Sequence, residues 1–91
     1  MLESKIQKNI MDKVKKAGGL AYKLHTTTVS GLPDLMILID GLVFYVEVKQ
    51  PGGVVSKRQK YIHEKFRSVG HEVYILYDDK IEIILDKYQA L

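Results

Sequence analysis

The sequence contains no cysteine, and this absence excludes several classes of protein. Without thiols, the chain has no disulfide scaffold, no thiolate zinc site and no cysteine nucleophile. Long apolar runs are missing too, because segments such as Leu42–Val46 are far shorter than the roughly 20 residues of a membrane-spanning helix. The first residues also lack the apolar segment of a secretory signal, so we expect the protein in an intracellular, reducing compartment.

The composition is that of an ordinary small globular chain. Its 91 residues are 46% hydrophobic and 27% charged, which is unlike a disordered protein. We predict one domain over residues 1–91, and a core this small would benefit from a partner subunit. The formal net charge of +3 permits a polyanionic partner without identifying one.

Hydrophobic periodicity and turn residues predict seven elements. Apolar residues recur every three or four positions over 2–17, which is typical of an amphipathic helix, and Gly18-Gly19 ends it. We predict strands over 20–25, 34–39, 42–49 and 72–77. A second helix is predicted from the N-cap Ser56 to about Val69, with Ile62, Phe66 and Val69 on its apolar stripe. A closing helix is predicted over 81–91. Ile81–Leu85 also fits a strand. The predicted fold is α/β, in the order α-β-β-β-α-β with a short C-terminal helix, and its mixed sheet is flanked by helices.

The pair Asp40-Gly41, between two apolar runs, predicts a tight hairpin. Such a pair favours a type I′ turn, in which both residues have positive φ. With these two residues in the turn, paired residues have numbers that sum to 81, and Asp34 faces Glu47. Both faces of the paired strands are apolar, so we expect both to be covered.

Two facing carboxylates at the end of an apolar hairpin predict a cation site. Either one acid takes up a proton, or a hard cation such as Mg²⁺ or Mn²⁺ lies between them. Lys49 points to the same side as Glu47, and the carbonyl of Val48 is available as a neutral oxygen ligand. The alternative is a surface ion pair between Glu47 and Lys49, with Asp34 capping the turn after Pro33.

These residues resemble the signature of a known nuclease family. The chain has Glu3 in its first helix, then Gly31-Leu32-Pro33-Asp34, then Glu47-Val48-Lys49 after the hairpin, then Gln59 in the next helix. This order is similar to that of the VRR-NUC family, within the PD-(D/E)XK superfamily of restriction-endonuclease-like folds. The resemblance covers residues 2 to 85.

The resemblance implies a DNA endonuclease that depends on Mg²⁺ or Mn²⁺ and needs no organic cofactor. Stand-alone members of this size resemble Holliday junction resolvases and tend to be virus-encoded homodimers. The implied substrate is branched DNA, and the implied location is the cytoplasm of a bacterium or an infected host cell. No membrane partner is expected.

The resemblance also implies a role for each motif residue. Asp34, Glu47 and the Val48 carbonyl would bind the metal. Lys49 would orient or help to deprotonate the attacking water and neutralise phosphate charge; alternatively, it is only the counter-ion of Glu47.

Two further motif residues have local explanations beside their functional ones. Glu3 would contribute to the metal directly or through water, yet a first-turn acid is also favoured by the helix dipole. Gln59 would sit beside the site, yet it also completes a capping box with Ser56.

Polar and basic residues near the loop and the second helix are candidates for DNA contact: His25, Ser30, Lys57, Arg58 and Lys60. A polar loop and a solvated charged face explain them almost as well. The three histidines, His25, His63 and His71, offer no metal-ligand spacing. We expect His63 and His71 on the solvated surface. Two rival functions remain open: a DNA-binding module without catalysis, and a phage accessory protein in which the acids form a structural ion-pair cluster.

Overall fold

The computed structural model describes residues 2–25 and 28–89, and this part of the chain forms one sheet with helices on both faces. Its elements are α1 (Glu3–Lys16), β1 (Leu20–Lys23), β2 (Leu35–Ile39), β3 (Leu42–Val48), α2 (Lys57–Ser68), β4 (Val73–Leu76) and α3 (Glu82–Gln89). The predicted α/β fold and element order are confirmed, and the segment after Ile81 is a helix rather than a strand. Its predicted last residues, 90 and 91, lie outside the described part. None of the helices there is long and apolar enough to cross a bilayer.

The strands lie in the order β1-β2-β3-β4. The first three pair antiparallel, whereas β3 and β4 pair parallel. A parallel pair needs a crossover connection, and α2 supplies it. The mixed sheet predicted from the sequence is therefore present.

The β2–β3 hairpin has the register expected from its turn. Asp40 and Gly41 have φ values of 52° and 77°, the positive pair that a type I′ turn requires. The paired residues run from Ile39 opposite Leu42 to Leu35 opposite Val46, and each pair sums to 81. The next step outward brings Asp34 across from Glu47.

The core lies between the inner face of the sheet and the helices α1 and α3. The inner face carries seven buried side chains: Ala21, Leu35, Ile37, Ile39, Phe44, Val46 and Val48. Ile6, Ile10 and Val14 cover it from α1, where the spacing of four residues places them on one stripe. These side chains pack the β2–β3 hairpin against α1.

The outer face is covered over only part of its width, so the expectation of two covered faces is only partly met. Phe66 of α2 packs edge-on against Tyr45 of β3, with 4.7 Å between ring centroids. At the far side, Leu20 and Tyr22 of β1 are 53% and 51% exposed. The reason is that α2 connects β3 to β4 and therefore covers the β3–β4 half of the sheet, leaving the β1 side open.

The start of α2 follows the predicted capping box. Ser56 Oγ accepts the Gln59 backbone N–H at 3.1 Å, and the Gln59 side chain accepts the Ser56 N–H at 2.9 Å. At its other end the helix stops at Ser68, and Val69 is 74% exposed. The prediction that Val69 belongs to the apolar stripe is wrong, because the chain has already left the helical path there.

Candidate active site

Asp34 and Glu47 lie side by side at the open end of the hairpin. Asp34 precedes β2 and follows the buried Pro33, while Glu47 belongs to β3. The backbone N–H of Val48 donates to Asp34 Oδ2 at 2.7 Å, which fixes the Asp34 side chain against β3. Each carboxyl group acts on the pKa of the other, so the two lie close together. The structure thus brings together the two acids that the register predicts to be partners.

Glu47 is a buried carboxyl with an acidic neighbour. It is 1% exposed. Burial, followed by the charge of Asp34, raises the pKa of Glu47 to about 7. Burial also raises the pKa of Asp34, although the Val48 N–H opposes that shift. At neutral pH the pair therefore favours holding a proton or binding a cation over carrying two uncompensated charges.

Lys49 lies on the same side of β3 as Glu47. Its Nζ is 3.6 Å from Glu47 Oε2, and the Lys49 side chain is only 15% exposed. This ion pair is therefore not a surface pair, as the alternative interpretation supposed. The ammonium partly compensates the two acids and works against the rise in the pKa of Glu47.

Gln59 makes both of the contacts that were open at the sequence level, one with the cap residue and one with the acids. Its side-chain oxygen completes the capping box with Ser56, while its Nε2 donates to Glu47 Oε2 at 3.0 Å. One amide therefore ties the first turn of α2 to the acid pair. The capping role fixes where the amide nitrogen points, because the oxygen end is already engaged.

Glu3 approaches the site from the first turn of α1. Its Oε1 accepts the backbone N–H of Gln50 at 3.4 Å, a long hydrogen bond. Its charge contributes to raising the pKa of Asp34, so the two acids interact electrostatically. The structure places Glu3 near Asp34 but engages it with the loop that follows β3.

The acid pair fits an oxygen-preferring cation, although it is no closed cage. Within residues 2–25 and 28–89, no group of three or more His, Cys, Asp or Glu side chains is arranged to hold a metal. In the same part of the chain, Glu47 Oε1 is buried and has no hydrogen-bond partner. Carboxylate and carbonyl oxygens suit Mg²⁺ and Mn²⁺, and Mg²⁺ is commonly held by one or two carboxylates with water and phosphate completing its shell.

His63 is a buried neighbour of Glu47, so the expectation that it lies on the solvated surface is wrong. It is 1% exposed, and its Nε2 is 3.7 Å from Glu47 Oε1. The reason is helical spacing: His63 follows Gln59 by four residues and therefore lies on the same face of α2. That spacing is the sequence signal that could have identified it. His71, by contrast, is exposed.

The candidate DNA-contacting residues lie near the start of α2 and the loop before Asp34. Lys57, Lys60, His25 and Ser30 are exposed. Arg58 donates from Nε to Ser30 O and Oγ at 3.3 and 3.2 Å, so this arginine ties the loop to α2.

Gly31 is expected to be sensitive to substitution because its backbone is both left-handed and crowded. Its φ is +88°, and an added Cβ would lie 3.0 Å from the Arg58 carbonyl oxygen. We expect Gly31→Ala to lower the free energy of unfolding by about 1–3 kcal/mol, measured by urea denaturation. Gly52→Ala is the matched control, since its φ is +84° and an added Cβ meets nothing within 4 Å. Equal losses in the two variants would contradict the crowding argument.

Comparison with known proteins gives the same assignment from three directions. The family model of the VRR-NUC domain matches residues 2–79. A relative named "Putative nuclease p44", from Acyrthosiphon pisum secondary endosymbiont phage 1, is 34% identical over 84 residues, which cover 91% of this chain and 90% of the relative. A solved structure described as a VRR_NUC domain superposes with a TM-score of 0.83 at 31% identity, covering 94% of this chain and 96% of the other. The chain belongs to the VRR-NUC family of nuclease domains.

Proposed function

We propose that this protein is a divalent-metal-dependent DNA endonuclease that hydrolyses phosphodiester bonds at the Asp34–Glu47 pair. The observation that carries the proposal is that Asp34, fixed by the Val48 N–H at 2.7 Å, lies next to the buried Glu47 and Lys49. Two carboxyls in this arrangement are electrostatically costly without a cation, because burial and mutual repulsion both oppose their ionisation. A retained arrangement of this kind is typical of a functional site rather than of a stabilising one.

The residues around the Asp34–Glu47 pair have different proposed roles. Asp34, Glu47 and the Val48 carbonyl would hold Mg²⁺ or Mn²⁺, and Glu3 would join directly or through a water molecule. When bound, such an ion lowers the pKa of water, polarises the phosphate and stabilises the leaving oxygen. Lys49, held near Glu47, would orient the attacking water and offset negative charge on the phosphate.

The start of α2 is the proposed contact surface for the DNA backbone. Its first turn carries no acidic residue, and the helix N-terminus adds partial positive charge to that of Lys57, Arg58 and Lys60. Because Arg58 already holds Ser30, a phosphate bound there would also meet the loop that leads to Asp34. His25 lies beside this loop. Binding through such contacts weakens steeply with added salt.

We also propose branched DNA as the substrate and a homodimer as the active form. The relative named "Putative nuclease p44" comes from a phage, which supports a virus-type enzyme of this kind. The exposed apolar side chains of Leu20 and Tyr22, beside the half-buried Met36 and Leu38, offer a surface that a second copy would cover. Two sites related by a two-fold axis would suit a symmetric junction cut on two strands.

The test is cleavage of labelled four-way junction, flap and linear duplex DNA with Mg²⁺, Mn²⁺ or EDTA. We expect cleavage that requires metal and favours the junction. Asp34→Asn should abolish it, and Lys49→Met should reduce it about 100-fold or more without loss of DNA binding. Asp86→Asn and Lys80→Met, at exposed positions outside the site, are the matched controls and should cleave normally. A monomeric mass at micromolar concentration, together with junction cleavage, would refute the dimer.

The same assay separates the rival functions. A DNA-binding module without catalysis would bind in a salt-dependent manner and leave every substrate intact with either metal. A structural accessory protein would neither bind nor cleave. Metal-dependent cleavage that survives Asp34→Asn would remove the acid pair from the mechanism even if the protein is a nuclease.

A further inference from the structure

We propose that His63 is a positioning residue, which together with Gln59 orients the carboxylate of Glu47 from the side of α2. The two side chains are four residues apart and reach different oxygens of the same carboxyl group. Gln59 Nε2 donates to Oε2 at 3.0 Å, and His63 Nε2 lies 3.7 Å from Oε1. Two contacts from one helix fix both the position and the rotation of a carboxylate, whereas one contact leaves the rotation free.

The unsatisfied atoms at this contact are the main evidence. In the described part of the chain, Glu47 Oε1 and His63 Nε2 are both buried and both lack a hydrogen-bond partner. A buried polar atom without a partner is costly, so a native fold rarely keeps two of them facing each other without a use. The 3.7 Å between His63 Nε2 and Glu47 Oε1 is only slightly longer than the usual length of about 2.7–3.2 Å for an N–H···O bond. A small side-chain rotation would close that difference.

The geometry of His63 fits a donor role. Nε2 is the ring nitrogen that faces Glu47 Oε1, and an imidazole donates from the ring nitrogen that carries its proton. With the proton on Nε2, closure of the 3.7 Å gap would let the ring donate to Glu47 Oε1. Glu47 would then be held at both oxygens, because Gln59 already donates to Oε2.

This inference rests on the proposed metal-dependent function and assigns His63 no contact with DNA. Because His63 is 1% exposed, its loss should change metal affinity and turnover and leave the KM for DNA unchanged. Groups that hold a metal ligand in place typically contribute 10- to 100-fold in metal affinity or activity.

The experiment compares His63→Leu, His63→Asn and His63→Gln by calorimetric titration with Mn²⁺ in the absence of DNA. The amide nitrogen of glutamine reaches the position of imidazole Nε2, whereas that of asparagine matches Nδ1. We therefore expect the leucine and asparagine variants to bind Mn²⁺ at least 10-fold more weakly, and the glutamine variant to stay within about threefold of the wild type. His71→Leu, at an exposed histidine, should bind normally.

A second measurement reads the imidazole itself. Long-range ¹H–¹⁵N spectra of the Mg²⁺-loaded protein should show the His63 proton on Nε2, and a proton on Nδ1 would overturn the proposal. Wild-type Mn²⁺ affinity in His63→Leu, or rescue by asparagine instead of glutamine, would overturn it too, while leaving the nuclease proposal intact. Absence of Mn²⁺ binding by the wild type would contradict the proposed function and this inference together.

Discussion

Glu47→Gln is expected to stabilise the metal-free protein at pH 8 by about 3 kcal/mol and to abolish metal-dependent cleavage. Both effects have one cause, because the fold holds a carboxyl group where its charge is unfavourable. The pKa of Glu47 rises from an ordinary value of 4.5 to about 7 on folding, mainly through burial. That difference corresponds to about 3 kcal/mol. Glutamine has nearly the same shape but no charge to bury, and it cannot offer a cation an anionic ligand.

The sign of the pH dependence follows from proton binding. Between pH 4.5 and about 7, the folded protein keeps a proton that the unfolded chain has released. The stabilisation is therefore complete below about pH 4.5, and the Glu47 contribution to the free energy of unfolding falls as the pH rises to about 7. His63 works in the opposite direction below pH 6.5, because its pKa is lowered in the fold. Because His63 contributes equally to both proteins, the predicted quantity is the difference in the free energy of unfolding between the wild type and Glu47→Gln.

Urea denaturation in EDTA, repeated from pH 4.5 to 8.5, measures this difference. The stabilities of wild type and Glu47→Gln should converge near pH 4.5 and separate through neutral pH. Asp86→Asn removes an exposed carboxylate and should run parallel to the wild type throughout. Parallel curves for Glu47→Gln as well would mean that Glu47 is not under electrostatic strain. Addition of Mn²⁺ at pH 8 should stabilise only proteins that retain both acids.

Phe44→Ala is expected to cost about 3–5 kcal/mol, a large part of the 5–15 kcal/mol that such domains possess. Phe44 is fully buried on β3 and stacks on Tyr88 of α3, with 4.6 Å between ring centroids. Tyr74 meets it edge-on at 5.6 Å, and the hydroxyls of the two tyrosines are hydrogen-bonded at 2.9 Å. Truncation removes the centre of this cluster and leaves a cavity between the sheet and α3.

Urea denaturation at 15 °C with far-UV circular dichroism measures the loss. Phe44→Leu keeps most of the volume and is expected to cost about half as much, so it reports even if the alanine variant does not fold. Tyr61→Ala is the control, because Tyr61 is a 53% exposed aromatic residue on α2, and its loss should cost less than about 1 kcal/mol. A loss below 1 kcal/mol in Phe44→Ala would show that the stacked cluster contributes little.

The parts of the structure that follow from short-range chemistry could be predicted from the sequence. The turn chemistry of Asp40-Gly41 determines the register, and the register alone brings Asp34 to Glu47. The Ser56 capping box is equally local, so the start of α2 was predictable. These two local signals position most of the candidate site.

What could not be predicted depends on the packing of separate elements. The rotation of α2 about its axis decides whether His63 faces solvent or Glu47, and contacts with the sheet determine that rotation. The spacing of four residues from Gln59 indicates the face of His63 only once Gln59 is placed beside the site. The same packing leaves Leu20 and Tyr22 exposed. This exposure could not be predicted, because the alternation of polar and apolar residues does not distinguish a covered face from an open one. Glu3 reaches Gln50 across 47 positions of sequence, a contact that no local pattern encodes.

The two-residue turn also limits which insertions and deletions the β2–β3 hairpin tolerates. Because Asp34 and Glu47 meet through strict cross-strand pairing, a single codon inserted into either strand would slide one acid out of alignment and reverse the direction of its side chain. One residue added to each strand keeps Asp34 opposite Glu47. Insertions and deletions in this hairpin should therefore survive selection only as balanced pairs, so the number of residues separating the two acids should remain even.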